Sequence, residues 1–234
     1  LDEGFHVGVI DAIAERLSPE NTLRRIVSFR PDALLFLTGA VSHREDFAFL
    51  ARVKKVLPDV ALIGTGDLFL WEAEKTLENH PGIQAAVADF VSRSLAEALR
   101  NGAPKGILGK VPHECREKTF AYGAPRYDLF PARCYRLPFG PPRPFASVLT
   151  SIGCPYPCSF CNMSRMPYRV RELAGLFEEL KLLRSMGIRT LYVRDPTFGL
   201  KKRHTRAFLE RLISEEWNVH WNCFSRADIV DADI

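Results

Sequence analysis

The stretch Thr150-Ser-Ile-Gly-Cys-Pro-Tyr-Pro-Cys-Ser-Phe-Cys-Asn-Met163 places three cysteines, Cys154, Cys158 and Cys161, within eight positions. A thiolate is a soft ligand, and thiolates packed this closely point to a soft metal. Four equal cysteines would close an iron–sulfur cluster for electron transfer, whereas three leave one iron without a protein ligand. An iron with open positions can bind a small molecule, as a catalytic metal keeps a place for its substrate. The spacing also admits a zinc site, with Cys115, Cys134 or Cys223 as a fourth ligand and His204 or His220 in support. A second alternative is a partner-binding fragment without catalysis.

The rest of the chain bounds these readings. It has 234 residues, 47% hydrophobic and 26% charged, which fits a folded protein with one large domain or two small ones. Thirty-two basic residues stand against 28 acidic ones, a formal charge of +4, without a long single-sign run. Nothing in that balance indicates a nucleic-acid partner. No apolar run reaches the ~18 residues of a membrane span, and no signal segment opens the chain. Residues 1–114 contain none of the six cysteines, so a spread disulfide scaffold is not expected; the expectation is a reducing compartment, the cytoplasm. The chain begins on Leu1 rather than Met and stops on Ile234 with no closing signal, so both ends read as cut.

Upstream of the cysteines, short apolar runs alternate with amphipathic ones. Residues 5–11, 33–38, 60–65 and 83–89 read as strands. Ser18-Pro19-Glu20 opens a helix carrying Leu23, Ile26 and Val27, and Ser42 with Glu45 forms the pattern of a capping box ahead of Phe47, Leu50 and Val53. A third helix over about 90–100 carries Val91, Leu95 and Leu99 and ends at Asn101-Gly102. This rhythm predicts an α/β fold over 1–104, a Rossmann-like doubly wound parallel sheet covered on both faces. Prolines break residues 105–146 into a connector that carries Phe120, Tyr122, Tyr127 and Phe130. From 147 to 234 the alternation resumes, with strands in 146–152, 189–195 and 219–226 and helices marked by Leu173–Leu183 and Phe208–Ile213. That is the rhythm of the first part of a β/α barrel.

The cysteine loop resembles the signature of the radical S-adenosylmethionine (radical SAM) enzymes, Cys-x3-Cys-x2-Cys, with Phe160 as the aromatic before the last cysteine and Thr150, Ser151, Gly153 and Pro155 matching the lead-in. The second segment, with Asp195, Thr197 and Phe198, resembles the family's second strand, and "WNCFSRAD" a later strand whose residues line the cofactor site. The resemblance implies a partial radical SAM barrel with a [4Fe-4S] cluster on Cys154, Cys158 and Cys161. It also implies S-adenosylmethionine on the open iron, an external electron donor, and Phe160, Asp195, Ser225 and Arg226 as cofactor contacts. In most of the family one electron from the cluster releases a 5′-deoxyadenosyl radical that takes hydrogen from the substrate.

A sheet domain, a proline-rich connector and this loop, in that order, resemble the cobalamin-binding class of that family. The class places cobalamin against the loops after its third and fourth strands, which implies contacts at Thr38, Gly39 and Ser42 and at Gly64, Thr65, Gly66 and Leu68. Open parallel sheets bind ligands beyond their strand ends, at a switch point in strand order, and glycines there allow close backbone approach. No Asp-x-His-x-x-Gly occurs, so no histidine is assigned to the lower face of the corrin; His43, at a helix start, reads as solvent-facing. Radical methylthiotransferases also begin with a sheet domain, but theirs carries cysteines that residues 1–114 lack. The resemblance implies a methyltransferase or a cyclase acting on a small molecule or peptide, with a first strand missing ahead of Leu1.

Overall fold

A computed structural model describes residues 4–102, 104–109, 118–136 and 144–232. The chain divides into two compact units, residues 1–112 and 113–234. Cys115 and the prolines at 112, 138, 141 and 142 lie outside the described residues.

In the first unit, Pro19 starts helix α1 (Pro19–Phe29), and the Ser18 hydroxyl accepts from the Asn21 amide at 3.2 Å, the N-cap that the sequence suggests. There follow β1 (Ala33–Leu37), α2 (His43–Val56), β2 (Ala61–Thr65), α3 (Asp67–Asn79), β3 (Ala85–Val87), α4 (Ser94–Arg100) and β4 (Gly106–Leu108). The four strands are parallel and lie in sequence order, β1-β2-β3-β4. Alternate side chains sort by face. Leu34, Phe36, Leu62 and Ala86 pack under α1, α2 and α3 through Ile26, Leu50, Val53 and Phe69. Ala33, Ile63, Ala85, Val87 and Leu108 meet Leu95 and Leu99 of α4 on the other face. Helices therefore cover both faces, but the order of the described strands never reverses, so the expected switch point is not among them.

Three local expectations fail for identifiable reasons. Residues 5–11 form no strand, because no described strand offers them a ladder; His6 instead stacks on Phe29 at 5.0 Å and Ile10 packs into the core. The Ser42–Glu45 box does not form, because the Ser42 hydroxyl turns to the Asp46 carboxylate at 2.8 Å. The connector does not begin at 105, because residues 106–108 pair with β3 and complete the first sheet. Helix α3 also goes beyond the sequence reading, in which its first residues belong to a strand-end loop; it carries non-helical dihedrals at Glu72.

The second unit contains β5 (Thr119–Phe120), β6 (Phe145–Val148), β7 (Ser151–Ile152), β8 (Arg169–Arg171), α5 (Leu173–Ser185), β9 (Thr190–Val193), α6 (Lys202–Ser214) and β10 (His220–Cys223). Strands β6, β9 and β10 form a parallel sheet, order β10-β9-β6, as expected for the start of a barrel. The run 146–152 is split, however: β7 leaves that sheet and pairs antiparallel with β8. Ala146, Val148, Leu191 and Val193 pack against Leu176, Phe177, Leu180 and Phe208 of α5 and α6.

Part of the connector belongs to this unit. Arg171 and Glu179 form a fully buried ion pair, the Arg171 guanidinium lies 3.7 Å from the Tyr122 ring centroid, and the Tyr127 hydroxyl bonds to Glu179. Burial pushes the Tyr122 phenol up to about 12 and raises that of Tyr127 further.

Candidate active site

The cysteine loop leaves β7 through Gly153, at φ +70°, where a Cβ would collide with the carbonyls of Met166 and Pro167. Only glycine combines that dihedral with so close a crossing. The Cys154 amide then donates to the Met163 carbonyl at 3.1 Å and the Cys161 amide to the Cys158 carbonyl at 3.1 Å, which folds the eight residues into a tight loop. Cys154 is buried and Cys158 and Cys161 are half-buried; all three are free thiols.

Asp195 anchors the loop's entrance. Its buried carboxylate accepts four hydrogen bonds: the Thr150 amide (2.7 Å), the Ser151 amide (3.0 Å), the Ser151 hydroxyl (2.7 Å) and the Thr150 hydroxyl. A carboxylate has about four acceptor sites, so these bonds saturate it. In this structure Asp195 therefore positions the entrance of the cysteine loop. Two residues on, the Thr197 hydroxyl lies 3.7 Å from the Cys154 sulfur. The loop after β9 is stitched to the end of β10: the Phe198 amide donates to the Phe224 carbonyl (2.9 Å), and the Ser225 hydroxyl to the Phe198 carbonyl (2.7 Å). Ser225 thus spends its proton inside the protein and keeps only acceptor capacity.

Arg226 sits with its guanidinium 4.0 Å from the Tyr156 ring centroid, inside the cysteine loop, and forms a two-pronged pair with Asp228 at 3.0 and 2.8 Å. It is joined to the loop through an aromatic face. Phe160 is 89% exposed, which removes loop packing as its role and leaves its ring presented beside Cys161. Sequence reasoning missed Tyr156 and Tyr168. Burial lifts the Tyr168 phenol to about 12, opposed by a hydrogen bond with Ser151. No local signal marks either residue, since their partners lie far along the chain.

Among the described residues, no three His, Cys, Asp or Glu side chains converge on a single-ion position. A cubane instead takes one thiolate per iron corner, so its ligands stand apart, and three free thiols on one glycine-turned loop fit that demand.

In the first unit the two predicted loops come together at the carboxyl ends of β1 and β2. The Ala40 amide donates to Asp67 at 3.0 Å, and Gly66, at φ +118°, lies so close to the Thr38 carbonyl that any Cβ would collide with it. Thr38 is buried and donates to Asp46 at 2.6 Å; Thr65 bonds to the Val87 carbonyl at 3.3 Å; Gly64 has the Phe69 ring where its Cβ would be. Thr38, Thr65 and Gly64 therefore hold the loops in shape, while Gly39, Ser42, Gly66 and Leu68 remain at least partly accessible. Leu37, Val41 and Phe90 are exposed at the same strand ends, apolar area that suits the wide, largely apolar plane of a corrin. His43 is held by a bond from Nδ1 to the Ala40 carbonyl at 2.9 Å, its ring edge-on to Phe47.

No protein-family model matches the chain. It is 28% identical over 246 residues to an uncharacterized methyltransferase of Pyrococcus horikoshii, covering 97% of this chain and 53% of that protein. It is 25% identical over 254 residues to the anaerobic magnesium-protoporphyrin IX monomethyl ester cyclase of Rubrivivax gelatinosus, covering 97% and 45%. Its fold matches the radical S-adenosylmethionine methyltransferase TsrM of Kitasatospora setae, solved with cobalamin and a [4Fe-4S] cluster bound, with a TM-score of 0.61 and 21% identity over 92% of this chain and 47% of that one. In sequence the chain is similar to proteins named methyltransferase and cyclase, and in fold to a radical SAM methyltransferase. It spans about half the length of the curated relatives it matches. No helix among the described residues is long and apolar enough to cross a membrane.

Proposed function

We propose that the chain carries the cobalamin-binding and cluster-bearing parts of a radical SAM enzyme, a methyltransferase or cyclase acting on a small molecule or peptide. The observation that supports this most directly is the loop of Cys154, Cys158 and Cys161, three free thiols gathered by Gly153 and anchored through Asp195. The relatives named methyltransferase and cyclase support the reaction classes.

In this reading Cys154, Cys158 and Cys161 would hold a [4Fe-4S] cluster, with S-adenosylmethionine as its partner cofactor. When bound, the cluster supplies the single electron, drawn from an external donor, that cleaves the sulfonium. The protein's own residues hold the parts in place. Asp195 fixes the strand that enters the loop, Thr197 gives the Cys154 sulfur a hydrogen-bonding neighbour, and Arg226 clamps the loop through Tyr156. Hydrogen bonds and nearby charge at the sulfurs set a cluster's potential. Phe160 offers an uncovered ring, and Ser225 an acceptor oxygen, to the adenosyl portion of the cofactor. In the first unit, the backbone of Gly39 and Gly66, with Ser42 and Leu68, would hold cobalamin. The five described cysteines are free, which suits the reducing cytoplasm.

Anaerobic reconstitution tests the reading. Four irons and four sulfides per chain are expected, with loss of the cluster in Cys154→Ala, Cys158→Ala and Cys161→Ala; retention of the cluster in all three variants ends it. Cobalamin is tested separately, by a corrin absorbance that survives gel filtration after incubation with hydroxocobalamin.

A further inference from the structure

Charge is divided unevenly between the two units. Residues 1–112 carry 13 basic residues against 15 acidic ones, and residues 113–234 carry 19 against 13, so the basic excess belongs to the second unit. Its densest run is Lys201, Lys202, Arg203 and Arg206, around the start of α6, and no acidic residue occurs between Asp195 and Glu210. A helix start is the positive end of the helix dipole, where acids are favoured and cations are not. Helices α1, α2 and α3 obey that rule, with Glu20, with Glu45 and Asp46, and with Asp67 in their first turns, whereas α6 has no acid there. Helix stability therefore does not account for these cations.

The run borders a groove and is tied to the cysteine loop. The groove, of 270 Å³, is lined by Val170, Leu173 and Ala207 together with Lys201, Arg203 and His204; Lys201 and Arg203 are exposed and His204 is half-buried. An apolar floor with charge at its edge is the make-up of a protein docking surface. The His204 Nε2 donates to the Arg171 carbonyl at 2.7 Å, and the Tyr168 hydroxyl bonds to both the Lys201 backbone and Ser151. Strand β8, which carries Arg171, pairs with β7, the strand that the cysteine loop leaves. Lys201 also stands four residues from Thr197, the neighbour of the Cys154 sulfur, so their backbones lie within about 14 Å.

We propose that the start of α6 is the docking surface for an acidic one-electron carrier protein, the external donor that a cluster on Cys154, Cys158 and Cys161 requires. Lys201, Arg203 and Arg206 steer and orient the carrier's acidic face, and the apolar floor between Val170, Leu173 and Ala207 takes a side chain from it. Docked there, the carrier gives up one electron to the cluster and is itself oxidised by one; no atom is transferred. The same charges would draw a nucleic acid, but the apolar floor and the neighbouring thiols favour a redox protein. The role as donor site rests on the radical SAM reading; the acidic nature of the partner comes from the surface alone.

The experiment uses two one-electron carriers of opposite charge, a flavodoxin, which is acidic, and a cytochrome c, which is basic, titrated calorimetrically into the reconstituted chain and into the cluster-free Cys154→Ala variant. Flavodoxin is expected to bind both, about tenfold more tightly at about 50 mM than at about 300 mM salt, and cytochrome c neither. The double variant Lys201→Glu, Arg203→Glu weakens flavodoxin about tenfold, and acids at a helix start leave α6 no less stable. The double variant Lys181→Glu, Arg189→Glu, an equal charge change on exposed residues outside the groove, stays within about twofold. Absence of flavodoxin binding, equal binding of cytochrome c, or equal weakening by the two double variants overturns the proposal. So does a DNA duplex that binds about tenfold more tightly than flavodoxin and is lost in Lys201→Glu, Arg203→Glu, which would assign the surface to nucleic acid. In stopped flow, reduced flavodoxin should bleach the reconstituted cluster about tenfold more slowly in that variant while dithionite reduces it at the parent rate; an unchanged flavodoxin rate removes the donor role. Iron content, measured on the same samples, reports separately on the radical SAM reading: a full cluster without flavodoxin binding sinks only the docking surface, and flavodoxin binding to a chain that takes up no iron sinks only that reading.

Discussion

The two units solve the same problem by opposite means. The first presents its candidate site at the carboxyl ends of parallel strands, the second on a loop that leaves β7, which pairs antiparallel with β8. In the first unit the loops after β1 and β2 are brought together by what is missing: Gly66 has no Cβ where the Thr38 carbonyl passes, and Gly64 none where the Phe69 ring lies. In the second unit the loop is fixed by added bonds, the four donors that converge on Asp195 and the arginine laid over Tyr156. A large cofactor held by contact needs bare backbone, whereas a metal cluster held by three covalent corners needs its side chains fixed in direction.

That contrast can be broken first at Asp195. Asp195→Ala leaves four buried donors without their acceptor, at about 1–3 kcal/mol each before relaxation. The expected result is a second unit that no longer retains four irons, read by iron analysis and thermal unfolding, with corrin binding by the first unit intact. Next in size, Glu179→Ala strands the buried Arg171 charge and is expected to cost about 3–5 kcal/mol in denaturant unfolding. If it costs less than about 1 kcal/mol, the network joining Tyr122, Tyr127 and α5 is not structural.

Gly66→Ala is the mirror experiment in the first unit. It combines a collision with a backbone dihedral that side chains resist, at about 1–3 kcal/mol. Corrin absorbance after gel filtration should disappear while iron content stays at four; loss of iron as well would refute the independence of the two sites.

A pH titration sharpens the picture further. The Tyr122 phenol is raised to about 12 by burial, so the folded state holds its proton above pH 10, where the unfolded chain releases it. Stability from this group is therefore full below about pH 10 and is lost as pH rises towards 12. Tyr122→Phe should flatten that decline, measured by denaturant midpoints between pH 9 and 12. The smallest effect belongs to Thr197→Val, which removes the hydrogen-bonding neighbour of the Cys154 sulfur. Cluster content should be unchanged and its midpoint potential should move to more negative values, since the reduced, more negative cluster gains most from that donor.

Much of the second site is legible in the sequence, because its ligands lie within eight residues and their spacing is the chemistry. Gly153 is legible for the same reason, as a turn forced between a strand and a cysteine. The partners of Asp195 are quoted in the sequence pattern, but not their pairing, since 45 residues separate Thr150 from Asp195. Tyr156 under Arg226 carries no local mark at all. In the first unit, residues 5–11 have a strand's composition but no ladder among the described residues, and α3 is obscured by the glycine-rich turn that begins it.

The sequence by itself determined the three thiols, the alternating strand and helix rhythm, and the glycines that permit close approach, because ligand spacing, periodicity and backbone freedom are local properties. Only the tertiary structure decided that Asp195 is saturated by the lead-in to the cysteine loop, that Phe160 stands uncovered, and that Arg226 lies over Tyr156. Whether a polar group is free to meet a ligand depends on which distant groups have already satisfied it, and that is settled when strands from separate parts of the chain come into register.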